Sequence, residues 1–373
     1  MFPDIPVEYL REAEDIPDYW ITSLEDIGEL LESRVSNGTT GVIGQSAGGR
    51  PIRSVAYGDG RCCNGTTTFS GSLGFRDVCA YLGPDHDKKV YMALGAVHGS
   101  EYEGIVGIVN LIAVLETGKD LRGKAWPEIT AAAEALDRIV LVPVTNVDGR
   151  ARIAPRMFAY RGTENGIYQY FGTGGWSAGN NIGWPTCKEH IPLDFSTCQF
   201  PGGYPNDAGV NIQHDDFLSP NRQPETEALL ALTARERPDI IINMHTGAPP
   251  KNYFTRMHRP YIEPKLSPIF EDLYRAVHTR LATDGLQSTT DPEVEANPAN
   301  VPQGVYNLDT VLNLNCGALA VLIEAPCHGF SGTDRDGNVV ERDLGPLVDA
   351  QLVCHQETMK FLVARGGRAA WGP

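Results

Sequence analysis

The sequence predicts an α/β protein whose central sheet is covered by helices on both faces. Three observations carry this reading. Short, wholly apolar, β-branched runs stand between turn signals, and helix-like segments alternate with them. The 373 residues also contain no repeat, low-complexity tract or Gly/Ser linker that would divide the chain. Ser23 to Val35 opens with a capping serine and continues with apolar residues at helical spacing. Pro51 to Tyr57 and Thr66 to Gly71 read as short strands. Lys89 to Ala96 and Arg138 to Val144 read as buried strands. Between them, Glu101 to Glu116 is apolar nearly all round, as a helix inside a large core is. Pro224 to Glu236 carries proline and acids at its start, which suits the positive end of a helix dipole. Pro238 stops it, and Asp239 to Met244 and later Ala318 to Ile323 are further buried strands. From Gly162 to Gly209 the chain is rich in Gly, Asn, Pro and Trp without periodicity, the mark of a long functional loop.

Composition excludes some roles. With 31 Lys and Arg against 47 Asp and Glu, the formal charge is −16. Such a surface repels phosphate backbones and anionic membranes, so nucleic acid and membrane are not the expected partners. The most apolar stretch, Gly104 to Leu115, is interrupted by Asn110 and too short to span a bilayer. The first residues carry acids early and no basic start before an apolar run, so a cytoplasmic location is expected, with export left open. The eight cysteines lack a zinc-finger or redox spacing. Reduced thiols are the default, and adjacent Cys62 and Cys63, or Cys187 with Cys198, remain the pairs to watch in an exported protein.

The chemistry gathers where strands end. His98 and Glu101 follow the strand Lys89–Ala96 in the segment GAVHGSEYEG, three residues apart across a glycine turn. A hydrolytic zinc site needs three protein ligands and an open position, so this pair alone is weak evidence. His245 ends the apolar run IIINMH and supplies a third ligand at another strand end, where open α/β sheets build their sites. Glu324 ends ALAVLIE. An acid there is costly if buried without a task, and beside zinc it can accept a proton from water.

These residues, taken in order, resemble the zinc carboxypeptidases, the family of carboxypeptidase A, over about Ser23 to His355. The similarity begins with Ile43 to Ile52 (IGQSAGGRPI), continues through His98 and Glu101, and includes Asn146-Val147-Asp148-Gly149, where the family has Asn-Pro-Asp-Gly. Gln223 to Glu227 resembles the opening of the helix before the third ligand, and His245 and Glu324 follow in the family's order. The resemblance implies one catalytic domain over residues 1–373, with a mixed, mostly parallel sheet flanked by helices. Residues 1–22 would be an N-terminal extension and 162–209 a loop insertion near the site. It implies one Zn2+ per chain on His98, Glu101 and His245, with Glu324 as general base. Arg161, fifteen residues after Asn146, would stabilise the oxyanion. The substrate would be a peptide or a small amide, the alternatives being a deacylase of an N-acyl compound and a non-catalytic binding protein. The oligomeric state stays open.

The chain departs from the family where substrate is recognised. Asn211, Gln213 and His214 stand where the family has Asp, Asn and a carboxylate-binding Arg, and Ser100 stands where another Arg is common. A neutral imidazole lacks the fixed charge and fork of a guanidinium. Weak dependence on a free C-terminal carboxylate is therefore expected near neutral pH, unless Arg222, Arg256 or a protonated His214 supplies the charge. Tyr306 matches the family's mobile tyrosine loosely, and Asp309 lies near its side-chain pocket position.

Overall fold

The computed structural model describes residues 4–62, 67–162, 166–246, 255–258, 261–286, 306–329, 332–333, 339–340 and 343–371. Strands β1 (Thr39–Gln45), β2 (Pro51–Gly58), β3 (Val90–Gly95) and β4 (Arg138–Val142) form the first half of the main sheet. The small strands β5 (Gly175–Trp176) and β6 (Cys198–Phe200) pair with each other. The main sheet then resumes with β7 (Ile240–Thr246), β8 (Arg256–His258) and β9 (Leu319–Ala325). A last small pair, β10 (Gly332–Thr333) and β11 (Val339–Val340), lies outside it.

The seven-stranded order is β1-β2-β4-β3-β7-β9-β8. The four central strands β4, β3, β7 and β9 run parallel, and antiparallel strands close both margins. The sheet is therefore mixed with a parallel centre. Every residue of β3 and β7 is buried, as strands covered on both faces must be. Helices Tyr102–Thr117 and Leu344–Arg365 pack on one another, and the second contributes thirteen buried residues to the core. No helix among the described residues is long and apolar enough to cross a membrane.

Most sequence expectations stand to within a residue or two. Helix Leu24–Arg34 is capped by Ser23, whose side chain accepts from the Asp26 amide at 3.0 Å. Helix Pro224–Glu236 has the predicted bounds. The strand expected over Thr66–Gly71 is corrected. Thr68 instead caps helix Phe69–Phe75, accepting from the Gly71 amide at 3.1 Å. The loop expected over Gly162–Gly209 is also more ordered than its composition suggested. It holds helix Gly166–Thr173, the β5–β6 pair, two single helical turns and a small apolar cluster of Ile182, Leu193 and Cys198. The described cysteines, Cys187 and Cys198 included, are free thiols, and Cys63 lies outside the described residues.

Candidate metal centre

Parallel register brings the chemistry to one edge. β7 and β9 pair so that His245 lies opposite Glu324, and facing residues of neighbouring strands project to the same face. Beyond the end of β3, the chain turns through Ala96, which adopts φ +44°, and presents His98 and Glu101 before helix Tyr102–Thr117 begins.

Backbone contact locks that turn. A methyl group on Gly99 would lie 2.1 Å from the Arg150 amide nitrogen, and one on Gly149 would lie 2.2 Å from the Gly203 carbonyl oxygen. The Gly99 amide donates to that same carbonyl at 2.8 Å. Three chain segments thus meet backbone to backbone, and only glycine permits it. The Asn-Val-Asp-Gly turn holds the assembly from below the ligands' own segment. Asn146 accepts from the Gly149 amide at 2.8 Å and donates to the Tyr204 carbonyl at 2.8 Å. Buried Asp148 accepts from Ser46 at 2.5 Å, Arg50 at 2.7 Å and the Gly48 amide at 2.8 Å, tying in the IGQSAGGRPI segment.

His98 Nδ1 lies 2.8 Å from Glu101 Oε1, and His245 Nδ1 lies 3.0 Å from Glu101 Oε2. The Thr246 amide donates to Glu101 Oε2 at 3.0 Å, fixing the carboxylate. One ligand atom from each of the three residues lies within 4.8 Å of the others, all buried. Glu101 is held down at about 2. Its burial raises it, but the imidazoles of His98 and His245 outweigh that. Burial also opposes charge on His245, yet Glu101 pushes it up to about 9, whereas burial prevails at His98 and lowers it.

Asn211 decides the tautomer of His98. Its Oδ1 accepts from the Gln213 amide at 3.0 Å, which orients the side-chain amide, and the same oxygen lies 3.1 Å from His98 Nε2. Nε2 must therefore carry the hydrogen, which leaves the Nδ1 lone pair facing the Glu101 carboxylate. A proton or a metal ion between that nitrogen and the carboxylate oxygen satisfies both. Two imidazole nitrogens and one carboxylate are the donor set of a catalytic zinc site, so the residues fit the metal.

Glu324 is half-buried, and its charge reaches both His245 and Tyr204. Two tyrosines at the site were not singled out from the sequence. Tyr204 stacks on His98 with ring centroids 3.6 Å apart and planes 5° apart. Burial and then Glu101 push its phenol well up, so it stays protonated. Tyr168 donates its hydroxyl to the Thr246 carbonyl, beside His245. The Gly202-Gly203 pair before Tyr204 was the available signal, since paired glycines mark a close backbone approach. Glu103 was also missed. Buried in the helix's first turn, it accepts from the His328 amide at 2.7 Å and so fixes the turn after Glu324, and burial pushes it up to about 7.

Other expected site residues stand elsewhere. Arg161 is not brought to the ligands. Its guanidinium donates to the Glu8 carbonyl, because the N-terminal segment packs across this face, where the Ala13 amide meets the Met157 carbonyl at 3.0 Å. Gln213 and Asp309 are buried in one network. Gln213 donates to Asp309 Oδ2 at 2.7 Å, and Asn243, on the strand of His245, donates to Asp309 Oδ1 at 3.1 Å. Both carboxylate oxygens thus accept from the protein's own amides, and Asp309, expected near the family's side-chain pocket position, is buried in the first turn of helix Leu308–Cys316. Tyr306 is exposed, with its ring 6.3 Å from that of Phe217, and is not at the ligands. His214 is pushed down to about 3, by burial first and then by Lys188, His98 and His245, so it is neutral at working pH. Arg222 donates to Glu227 at 2.6 Å, which commits its charge. The Arg256 side chain lies outside what is described.

Comparison with known proteins agrees with this geometry. The sequence profile described as zinc carboxypeptidase matches residues 25–297. No curated protein matches the sequence. Among solved structures, a candidate carboxypeptidase of Burkholderia mallei ATCC 23344 superposes with a TM-score of 0.56 at 13% identity, covering 93% of this chain and 70% of its own. A metallo-carboxypeptidase of Burkholderia cenocepacia gives 0.53 at 14% identity, covering 92% and 70%. One from Pseudomonas aeruginosa, solved with (2-guanidinoethylmercapto)succinic acid, gives 0.51 at 14%, covering 92% and 71%. At such identities the likeness is one of fold.

Proposed function

The chain belongs to the zinc carboxypeptidase family, and on that premise we propose that it hydrolyses a peptide or amide bond with zinc held by His98, Glu101 and His245. One observation carries the reading: two imidazole nitrogens and a carboxylate converge at the strand ends, with Glu324 opposite His245 in register. Zinc, when bound, supplies Lewis acidity and lowers the pKa of water towards ~7. The protein's own groups do the rest. Asn211 keeps His98 in the tautomer that offers Nδ1, and the Thr246 amide keeps Glu101 oriented. Glu324 takes the proton from the attacking water and returns it to the leaving amine, a role supported by its place opposite His245 in register and by its charge acting on that imidazole. Tyr204, neutral and stacked on His98, is a candidate donor to the substrate carbonyl, a task expected of Arg161.

The test is Glu324→Gln, which keeps shape and removes proton acceptance. Turnover of an acylated peptide library should fall by roughly 10²–10⁴-fold while zinc, measured by elemental analysis, stays near one per chain. In His245→Ala the zinc itself should be lost. Undiminished turnover in Glu324→Gln removes that residue from the mechanism, and full zinc occupancy in His245→Ala overturns the ligand set.

A further inference from the structure

The position where the family keeps a carboxylate-binding arginine is held here by an imidazole that stays neutral, and the other arginine in this part of the chain, Arg222, is already paired. A cation nevertheless stands close by. Lys188 ends a single helical turn (Thr186–Lys188) in the Gly166–His214 stretch. Its ammonium lies 4.0 Å from the ring centroid of Trp184, and the same ring is 6.0 Å from that of His214. His214 in turn feels the charge of Lys188 and of both ligand histidines. Cys187, its sequence neighbour, is near enough to act on the phenol of Tyr204, which stacks on His98. Lys188 and Trp184 therefore stand beside His214, the position aligned with the family's carboxylate-binding arginine.

What makes this lysine unusual is the lack of a counter-charge. Lys188 is half-buried, and among the described residues no carboxylate pairs with it or raises its pKa, while burial lowers it. In a chain with 47 acids against 31 bases, a partly desolvated ammonium without an acid is a site prepared for an anion from outside. The Trp184 face holds the ammonium and compensates part of its desolvation. Trp184 itself is 53% exposed, so the ammonium lies at an accessible surface.

We infer that Lys188, delivered by the Gly166–His214 stretch and held on Trp184, is the residue that recognises the substrate's terminal carboxylate in place of the absent arginine. The inference rests on the proposed hydrolytic site and names its specificity determinant. It also reverses the expectation that the free carboxylate matters little. A lone ammonium gives a point charge and not a fork, so it selects for negative charge with less demand on angle than a guanidinium.

The test uses the zinc-loaded full chain and a library of benzoylglycyl amino acids, each as free acid and as C-terminal amide. Wild type should prefer the acids by about tenfold or more in kcat/KM, the size of a charge-assisted contact. Lys188→Ala should remove that preference through KM, with the amides changed by less than about twofold, and Lys188→Arg should restore it. Binding of the same acids to Glu324→Gln, by calorimetry, should weaken to the same extent when Lys188→Ala is added. That arm reads the contact without turnover. An unchanged acid-to-amide ratio in Lys188→Ala, equal binding in the calorimetric pair, or a wild-type preference for amides overturns the inference. A stability change without a change in ratio overturns it too, in favour of packing alone. If neither acids nor amides are cleaved while acids still bind through Lys188, it is the hydrolytic reading that fails.

Discussion

The His98–Glu101 turn and the stretch from Gly166 to His214 touch one another, yet they are built by different rules. The turn is fixed by backbone. Gly99, Gly149 and Gly203 let three segments meet at distances no side chain would tolerate, and Asn146 and Asp148 brace them with hydrogen bonds. The stretch adds stacked and charged side chains to its own close backbone approaches at Gly174, Gly202 and Gly209. Tyr170 stacks on Phe200 at 5.4 Å, Tyr204 on His98, and Lys188 on Trp184. Backbone packing accepts few changes, whereas a surface of aromatic and charged contacts can exchange members singly. The difference separates the turn that presents His98 and Glu101 from the region where the sequence departs from its family's pattern. His98 and Glu101 sit on the first kind of structure, while His214, in the recognition motif, faces Trp184 of the second.

The sharpest way to break that contrast is a methyl group on each side. Gly99→Ala forces a Cβ to 2.1 Å from the Arg150 nitrogen, which only movement of the ligand turn can relieve. It should cost about 3 kcal/mol of stability and lower zinc occupancy. Gly166→Ala, with open space around it, should stay within about 0.5 kcal/mol. Chemical denaturation of the zinc-loaded proteins compares them, and similar losses in both would erase the distinction. A smaller effect tests the border between the regions. Asn211 belongs to the recognition motif but acts on a ligand, holding the His98 tautomer. Asn211→Ala should weaken zinc affinity by about 10–100-fold, read by competition with a chelator. An unchanged affinity would mean that the turn alone orients His98.

The same contrast explains what the sequence revealed. The candidate ligands and base were legible because each ends or follows a buried strand, and apolar runs of β-branched residues are loud signals. His245 and Glu324 could be recognised singly, but their facing register belongs to the pairing of β7 with β9, which no local pattern encodes. The helix Gly166–Thr173 was hidden because eight residues are too few for periodicity among so many glycines and aromatics. Arg161 kept the family's separation from Asn146, but separation along the chain does not say what lies across it, and the carbonyl of Glu8 claims its guanidinium. Tyr204 and Lys188 were obscured for the opposite reason. Each is an ordinary residue in a loop, and only stacking on His98 or Trp184 gives it a place at the site.

The smallest effect concerns pH, and it separates Lys188 from His214 as the carrier of charge. A free histidine titrates near ~6.5, so an imidazole serving as the carboxylate's partner would strengthen the preference for free acids as pH falls through that value. His214 is instead pushed down to about 3, chiefly by burial and next by the Lys188 ammonium. The folded protein thus keeps His214 neutral from pH 8 to 5.5, and the acid-to-amide ratio should stay flat across that range. The sign for stability follows from the same shift. Below ~6.5 the unfolded chain takes up a proton that the folded chain refuses, so the contribution of neutral His214 is full above that pH and declines as pH falls. Between pH 7.5 and 5.5 the wild type should therefore lose about 1 kcal/mol more than His214→Gln, measured by denaturation of the zinc-loaded proteins. A rise in free-acid preference centred near pH 6.5 that disappears in His214→Gln would assign the charge to the imidazole. It would return recognition to the family's own motif and leave Lys188 as a packing residue on Trp184.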